Sequence, residues 1–373
     1  MLGLYVHVPF CSAICNYCNF NRGLFDAELK ERYVGALLAE IRRAGDGSAA
    51  DSIFFGGGTP SLLEPAEISA VIDACRGSWS MADAAEITLE ANPETVTPER
   101  LAGFRQAGVN RLSYGVQSFR DDELGRLSRL HSAGRAVEAF RMARREGFDN
   151  ISLDLMMWLP QQTLVHWLES VDRLIALGPD HASLYLLEIY PNAPLRDAMA
   201  RGQWSVAPDD DAAEMYMSGL ARMDEAGYVQ YEISNVARAG RCSRHNLKYW
   251  TDGEWLGLGC GAHSTCNGTR WKNVSVAADY ISTLASGGSI AVDVRPLSAR
   301  ERLEDALFTG LRLSAGVDLG LVNARYGVDV WSRYGGELQS FVDQGVLFYD
   351  GRCLRLSRAG MLLAHEIMAV FIR

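Results

Sequence analysis

The sequence predicts an α/β fold in which an open, partial barrel of six β/α units precedes a small C-terminal α+β module of winged-helix type. Six short apolar runs, rich in β-forming residues, alternate with helical stretches, a pattern typical of a parallel sheet or barrel. From about residue 297 the pattern changes to three helices, a hairpin that turns at Asp350-Gly351, and a final apolar helix. Six units are fewer than the eight that close a barrel, so we expect an open one.

The predicted elements follow one another in regular order. The strands cover residues 4–8, 52–55, 86–91, 111–116, 150–156 and 182–189. The helices cover residues 27–44, 65–77, 97–107, 134–147, 163–177 and 209–226, and capping signals such as Thr97-Pro98-Glu99 mark where they begin. Together they define a first domain, residues 1–227. Residues 228–296, where the periodicity weakens and Trp and Gly accumulate, are predicted to connect this domain to the C-terminal module, residues 297–373.

Composition and charge exclude several classes of function. The chain of 373 residues has a formal net charge of -10, whereas broad binding of nucleic acid needs a dense field of Lys and Arg. We therefore expect no nucleic-acid partner. The first residues form neither a basic n-region nor a long apolar segment, and no later stretch reaches the roughly 18 apolar residues of a membrane span. These features predict a cytoplasmic protein without a membrane span.

Three of the eight cysteines, Cys11, Cys15 and Cys18, lie close together, and the others are scattered. This is not a secreted disulfide framework, and thiolates are the ligands of iron–sulfur clusters. A ferredoxin cluster takes four cysteines, so three indicate an iron left open for another ligand. Two alternatives remain: zinc with His7 as a fourth ligand, and three buried cysteines on one helix face. Pro9 and the nearby asparagines favour a loop over that helix.

Glycines and polar residues follow the predicted strands, where the reactive groups of β/α barrels gather. The second strand is followed by Gly56-Gly57-Gly58-Thr59, and Glu90 ends the third. Gln117, Asp154 and Glu188 hold corresponding positions on the next three strands. A glycine in such a turn lets the backbone approach a ligand that a Cβ atom would keep away. We therefore expect a binding site at this end of the barrel.

The order of these motifs resembles the radical S-adenosylmethionine family, and within it the group of oxygen-independent coproporphyrinogen III oxidases and related haem chaperones. The resemblance covers residues 5–20, 54–60, 90–93, 115–119, 154–155, 231–234, 245–250 and 259–264. It implies a 4Fe-4S cluster whose open iron binds S-adenosylmethionine, and an electron donor such as flavodoxin or ferredoxin. In that family an electron from the cluster splits the cofactor into methionine and a 5'-deoxyadenosyl radical, while the protein supplies orientation and electrostatics.

The resemblance also implies roles for individual residues. Cys11, Cys15 and Cys18 correspond to the ligands of the 4Fe-4S cluster. The residues that correspond to the S-adenosylmethionine site are Tyr5, Tyr17, Gly57, Gly58, Thr59, Glu90, Gln117, Arg129 and Asp154. No separate catalytic residue follows from the resemblance.

Two functions within the group are open at this point: oxidative decarboxylation of coproporphyrinogen III, and delivery of haem to acceptor proteins. The oxidases carry a fourth cysteine two positions after the third, and an N-terminal extension. This chain has Phe20 at that position and begins its first strand almost at Met1. Both departures resemble the chaperones, and they favour haem or porphyrin as cargo over the oxidase reaction.

The segment His245-Asn246-Leu247-Lys248-Tyr249-Trp250 also resembles a motif of the chaperones. A histidine beside two aromatic residues suits an iron ligand with a flat apolar wall, so His245 is a candidate haem ligand. The alternative for His245 is a packed histidine. A radical enzyme that acts on another substrate is a third function, because Trp158 stands where the family has glycine.

Overall fold

The computed structural model describes residues 1–191, 193–202, 204 and 209–372. The strands are β1 (Leu2–Val8), β2 (Phe10–Cys11), β3 (Gly23–Leu24), β4 (Ala49–Gly57), β5 (Ser80–Ala91), β6 (Arg111–Gln117), β7 (Ile151–Met157), β8 (His181–Leu186), β9 (Val229–Glu232), β10 (Asn235–Ala237), β11 (Trp255–Leu258), β12 (His263–Cys266), β13 (Thr269–Asn273), β14 (Ala291–Pro296), β15 (Val317–Asp318), β16 (Leu347–Tyr349) and β17 (Cys353–Leu356). The helices are α1 (Ala27–Ala44), α2 (Pro65–Ser78), α3 (Pro98–Ala107), α4 (Asp121–Arg126), α5 (Ala133–Arg145), α6 (Leu164–Leu177), α7 (Pro194–Gly202), α8 (Asp209–Glu225), α9 (Arg244–Trp250), α10 (Ala277–Ala285), α11 (Ala299–Gly310), α12 (Leu319–Tyr326), α13 (Val330–Asp343), α14 (Arg358–Leu362) and α15 (Ala364–Met368).

Within the described part of the chain, twelve strands form one sheet in the order β14-β13-β12-β11-β1-β4-β5-β6-β7-β8-β10-β9. Within the run from β11 to β8 each strand is parallel to the next, whereas β12 pairs with β11 and β10 pairs with β8 in antiparallel fashion. The outermost strands, β14 and β9, do not pair with each other in this order, so the barrel is open. The predicted α/β fold class is therefore confirmed.

The parallel strands form where the sequence has apolar runs, because helices cover them and leave little surface for water. In β1, for example, every residue but Tyr5 is buried. The helices between the strands begin where a side chain accepts a backbone N–H of the first turn, which satisfies a donor that the helix leaves free. The residues that cap α1, α3, α5 and α6 in this way are Asp26, Thr97, Ser132 and Thr163.

Residues 228–296, expected to be a connecting region, supply six further strands to the same sheet. β9 and β10 extend it beyond β8, and β11 lies parallel to β1 on the other side. The short helices α4 and α7 were not predicted, and β8 ends at Leu186 rather than at residue 189. None of the helices in the described residues is long and apolar enough to span a membrane.

The C-terminal module contains α11–α15 and a small sheet in the order β15-β17-β16. Its β16–β17 hairpin turns at Asp350-Gly351, as the sequence predicts. The module is joined to the large sheet by a partly buried ion pair, in which Arg312 Nη2 lies 2.9 Å from Oε2 of the fully buried Glu232. The same Arg312 guanidinium stacks on Trp250 of α9, 4.4 Å from the ring centroid. The C-terminal module therefore contacts the large sheet through α9 and the end of β9.

Candidate functional site

The polar residues at the carboxyl ends of the parallel strands meet in one cavity. Its volume is about 350 Å³, within the range of small-molecule sites. Its walls include most of the residues predicted for the site, namely Cys11, Cys15, Tyr17, Cys18, Gly57, Gly58, Thr59, Glu90, Gln117, Arg129 and Asp154. Tyr5 and His245 lie outside this lining.

The cysteines lie on a loop that leaves the barrel after β1. Cys11 ends β2, and Cys15 and Cys18 follow before β3 begins. Hydrogen bonds close the base of the loop, because Phe25 N donates to Cys11 O at 2.9 Å and Gly23 N donates to Pro9 O at 2.7 Å. The alternative of three cysteines on one helix face is therefore wrong.

Two of the thiols have hydrogen-bond donors beside them. Thr59 Oγ1 donates to Cys11 Sγ at 3.6 Å, and Arg129 Nη1 donates to Cys15 Sγ at 3.4 Å. Burial raises the pKa of the Cys11 and Cys18 thiols. A bound metal ion such as iron would favour the thiolate form of these cysteines.

The arrangement fits an iron–sulfur cluster with three cysteine ligands better than a zinc ion. No three His, Cys, Asp or Glu side chains among the described residues are grouped so as to hold one ion, whereas in a cluster each thiolate binds its own iron. His7 is not free to complete a zinc site. Its Nε2 donates to Asn21 O at 2.7 Å, and its Nδ1 accepts from Tyr5 OH at 3.1 Å.

The glycine turn after β4 packs tightly against the cysteine loop. Gly57 has a φ of 111°, and a Cβ atom there would lie 2.5 Å from His7 Cε1. A Cβ atom at Gly58 would lie 2.7 Å from Phe10 O, and Thr59 N donates to that same oxygen at 2.7 Å. The glycines are therefore required by the protein's own packing, in addition to any ligand that approaches the backbone.

Two carboxyl groups line the cavity and repel each other. Burial, and after it the charge of Asp154, raises the pKa of Glu90 to about 8, although Gly57 N–H donates to the carboxylate. Burial also raises the pKa of Asp154, and a hydrogen bond from Ser183 and the cation of Arg111 act in the opposite direction. A bound cation or hydroxyl donor would relieve this repulsion. The pair therefore suits the ammonium and ribose groups of S-adenosylmethionine.

Two residues at the carboxyl ends of neighbouring strands adopt left-handed backbone conformations. Gln117 has a φ of 70° at a bulge of β6, and Trp158 has a φ of 63° directly after β7. Such conformations cost about 1–3 kcal/mol each and concentrate at ligand sites. The buried Oε1 of Gln117 has no hydrogen-bond partner within the described structure, so it is available to a ligand. Glycine would adopt the left-handed conformation of Trp158 without strain.

Tyr5 and His245 pack together outside the cavity. Their ring centroids are 6.5 Å apart, and the ring of Phe54 packs against both, 6.2 Å from Tyr5 and 5.2 Å from His245. His245 is fully buried, and its Nδ1 and Nε2 each lie 2.9 Å from a hydroxyl, of Ser52 and Tyr249 respectively. Burial lowers the pKa of His245 to about 3. Both ring nitrogens are occupied, so this conformation has no nitrogen free for haem iron and matches the packed-histidine alternative.

The cavity also contains residues that the sequence analysis did not single out as site residues. Phe20, Tyr185 and Leu186 form an exposed apolar part of its rim. Arg22 and Asn92 add polar groups to its walls. Asn92 lies two residues after Glu90. If the predicted strand is continued by two residues, its alternating side chains place Asn92 and Glu90 on the same face.

Two family models match the chain in its two parts. The Radical SAM superfamily model matches residues 5–202, and the HemN C-terminal domain model matches residues 297–363. The fold and the three-cysteine cavity therefore define a radical SAM protein with a HemN-type C-terminal domain.

Curated relatives are similar over the whole chain. The heme chaperone HemW of Bacillus subtilis is 36% identical over 377 residues, which cover 100% of this chain and 99% of the relative. The heme chaperone HemW of Mycobacterium tuberculosis is 37% identical, with 99% and 94% covered. The solved structure of coproporphyrinogen III oxidase (HemN) from Escherichia coli shares the fold, with a TM-score of 0.87, 22% identity, and 99% and 89% covered. The chain belongs to the radical SAM superfamily and, within it, to the family of the HemW proteins.

Proposed function

We propose that this protein is a haem chaperone that binds a 4Fe-4S cluster on Cys11, Cys15 and Cys18, binds S-adenosylmethionine beside it, and inserts haem into acceptor proteins. The observation that carries the proposal is the one cavity in which three thiols, the turn at residues 57–59 and two carboxyl groups meet. The similarity to the heme chaperones HemW supports haem as the cargo.

Each group in the cavity has a distinct part in holding the cofactor. When bound, the cluster and S-adenosylmethionine supply one-electron chemistry. Glu90 and Asp154 accept hydrogen bonds from ammonium or ribose hydroxyl groups. Arg129 provides a cation beside Cys15, which suits the cofactor's carboxylate. Tyr17, whose pKa burial raises, keeps water away from this corner.

Phe20 favours the chaperone over the oxidase. It stands where the oxidases have a fourth cysteine, and its side chain is 64% exposed at the rim of the cavity. An aromatic ring cannot supply a thiolate, but it can stack on the flat apolar face of a tetrapyrrole. Conversion of coproporphyrinogen III is the second candidate function, because the HemN fold extends over nearly the whole chain.

The proposal also includes an electron donor such as flavodoxin or ferredoxin and action in the cytoplasm. It assigns S-adenosylmethionine and the cluster to residues 1–227 and treats residues 228–296 and 297–373 as the parts that adapt this barrel to its cargo. The ion pair between Glu232 and Arg312 joins those two later parts.

Anaerobic reconstitution followed by separate binding and turnover assays tests the proposal. The wild-type chain should contain about four irons, change its absorption spectrum on addition of S-adenosylmethionine, bind haem, and leave coproporphyrinogen III unchanged. A C11A/C15A/C18A variant should lose the iron, whereas Cys266→Ala, a partly buried cysteine outside the cavity, should keep it. Zinc without iron would contradict the cluster, and conversion of coproporphyrinogen III would establish the oxidase instead.

The role of His245 in haem binding stays a prediction that needs its own test. If His245 binds the iron, it must first leave Ser52 and Tyr249, and His245→Ala should then shift or abolish the Soret band of bound haem. Ser52→Ala is the matched control, because it removes one internal partner of the ring and keeps the imidazole. A Soret band that is unchanged in His245→Ala would exclude this residue as the ligand.

A further inference from the structure

Asn92 lies between the donors that contact two of the cluster cysteines. Its Oδ1 is 2.7 Å from Arg129 Nη2, and its Nδ2 is 3.1 Å from Thr59 Oγ1. At the two ends, Thr59 Oγ1 reaches Cys11 Sγ at 3.6 Å and Arg129 Nη1 reaches Cys15 Sγ at 3.4 Å. Thr59, Asn92 and Arg129 thus form a continuous chain of hydrogen bonds, the sulfur bridge, from one thiol to the other.

The direction of every bond in the sulfur bridge follows from the chemistry of its members. Arginine has donors only, so the oxygen of the Asn92 amide must face Arg129 and its nitrogen must face Thr59. Asn92 Nδ2 therefore donates to the Thr59 hydroxyl. The single hydroxyl proton of Thr59 is then left for Cys11 Sγ. Both ends of the bridge donate to sulfur.

The surroundings hold the sulfur bridge in place. Thr59 is almost fully buried, and its backbone N–H is bonded to Phe10 O. Arg129 Nη2 also donates to Gly115 O at 2.7 Å. Because Thr59 and Arg129 are each fixed at a second point, the donors keep their positions when charge on the sulfurs changes.

We propose that Asn92 is a positioning residue that, through Thr59 and Arg129, directs hydrogen bonds onto the sulfurs of Cys11 and Cys15 and thereby raises the reduction potential of the cluster. Hydrogen bonds to ligand sulfur stabilise the reduced cluster, which carries the additional negative charge. This inference rests on the cluster-binding part of the proposed function.

The test is a redox titration of the reconstituted full chain without S-adenosylmethionine. Electron paramagnetic resonance measures the reduced cluster at each potential. Thr59→Val removes the hydroxyl and nearly keeps the shape of the side chain. It should lower the ratio of reduced to oxidised cluster about tenfold at a fixed potential, which corresponds to a reduction potential about 59 mV more negative. Thr59→Ser keeps the donor and should restore the wild-type potential. Thr88→Val is the matched control, because the Thr88 hydroxyl is buried on β5 without a hydrogen-bond partner in the described structure.

Asn92→Ala tests the middle of the sulfur bridge without touching either sulfur donor. It should shift the potential in the same direction as Thr59→Val, and it keeps the proposal testable if Thr59→Val fails to hold a cluster. Wild-type potentials in both Thr59→Val and Asn92→Ala would overturn the inference while leaving the cluster assignment intact. A wild-type chain that forms no 4Fe-4S cluster would instead refute the proposed function.

Discussion

Replacing Glu90 by glutamine should stabilise the fold and weaken cofactor binding at the same time. The pKa of Glu90 is about 8, against 4.5 for an ordinary glutamate. Between these values the folded chain holds a proton that the unfolded chain has released. The free energy of unfolding therefore falls as the pH rises from about 4.5 to 8, since the unfolded state binds fewer protons.

The size of the effect follows from the pKa difference. Each pKa step corresponds to about 1.4 kcal/mol, so the raised pKa of Glu90 lowers the free energy of unfolding of the empty protein, relative to its value at low pH, by about 3 kcal/mol at pH 7 and by up to about 4–5 kcal/mol above pH 8. Glutamine is neutral at every pH, so this part of the pH dependence should vanish in Glu90→Gln. Loss of a hydrogen bond to a charged group should weaken S-adenosylmethionine binding by about 1.5–3 kcal/mol, roughly 10- to 100-fold.

Urea unfolding at pH 5.5, 7 and 8.5 measures the stability, and calorimetry with the reconstituted protein measures the affinity. Glu94→Gln is the control. It makes the same change four residues later, at a glutamate whose pKa is shifted in the opposite direction. Burial raises the pKa of Glu94, but a hydrogen bond with His131 and the cation of Arg129 lower it overall, so this variant should be destabilised at pH 7. Equal pH dependence in wild type and Glu90→Gln would refute the reasoning.

Further substitutions test the packing around the site and the link to the C-terminal module, each by thermal unfolding. Gly57→Ala should lower the free energy of unfolding by at least about 2 kcal/mol, because alanine strains the left-handed backbone and collides with His7. Gly35→Ala is the control: Gly35 faces open space on α1, so alanine should instead raise the free energy of unfolding by about 0.5–1 kcal/mol. Arg312→Ala should cost about 3–5 kcal/mol, because it leaves the fully buried Glu232 without its cation. A neutral result for Gly57→Ala or Arg312→Ala would contradict the corresponding contact.

The parallel strands were predictable because burial under helices demands apolar residues in one run. Predicted residues 111–116 and 150–156 correspond to β6 and β7 within one residue at each end. Among the strands of residues 228–296, β14 escaped prediction for the opposite reason. β14 has no buried residue in Ala291–Pro296, so its sequence does not distinguish a buried face of the strand from an exposed one.

The candidate site was predictable where its chemistry is local in sequence. The three cysteines and the glycine turn each occupy a few consecutive positions, and their residue types are selective. The hydrogen bonds of Asn92 to Thr59 and Arg129, and the packing of His245, depend instead on contacts between distant positions. Ser52 lies 193 residues before His245, and no pattern around either residue reveals that they meet.

The position of α9 decides how variants of His245 must be interpreted. Glu86 of β5 accepts the backbone N–H of His245 at 3.0 Å, and Glu90 lies on the same strand. At its other end, α9 carries Trp250, which stacks on Arg312 of the link to the C-terminal module. A substitution at His245 can therefore disturb the cofactor strand and the module together. We expect His245→Ala to lower the unfolding temperature in either role, because the buried ring loses its contacts with Ser52 and Tyr249. Ser52→Ala therefore separates the two roles: a ligand role changes the haem spectrum in His245→Ala and leaves it unchanged in Ser52→Ala, whereas a packing role changes it in both variants.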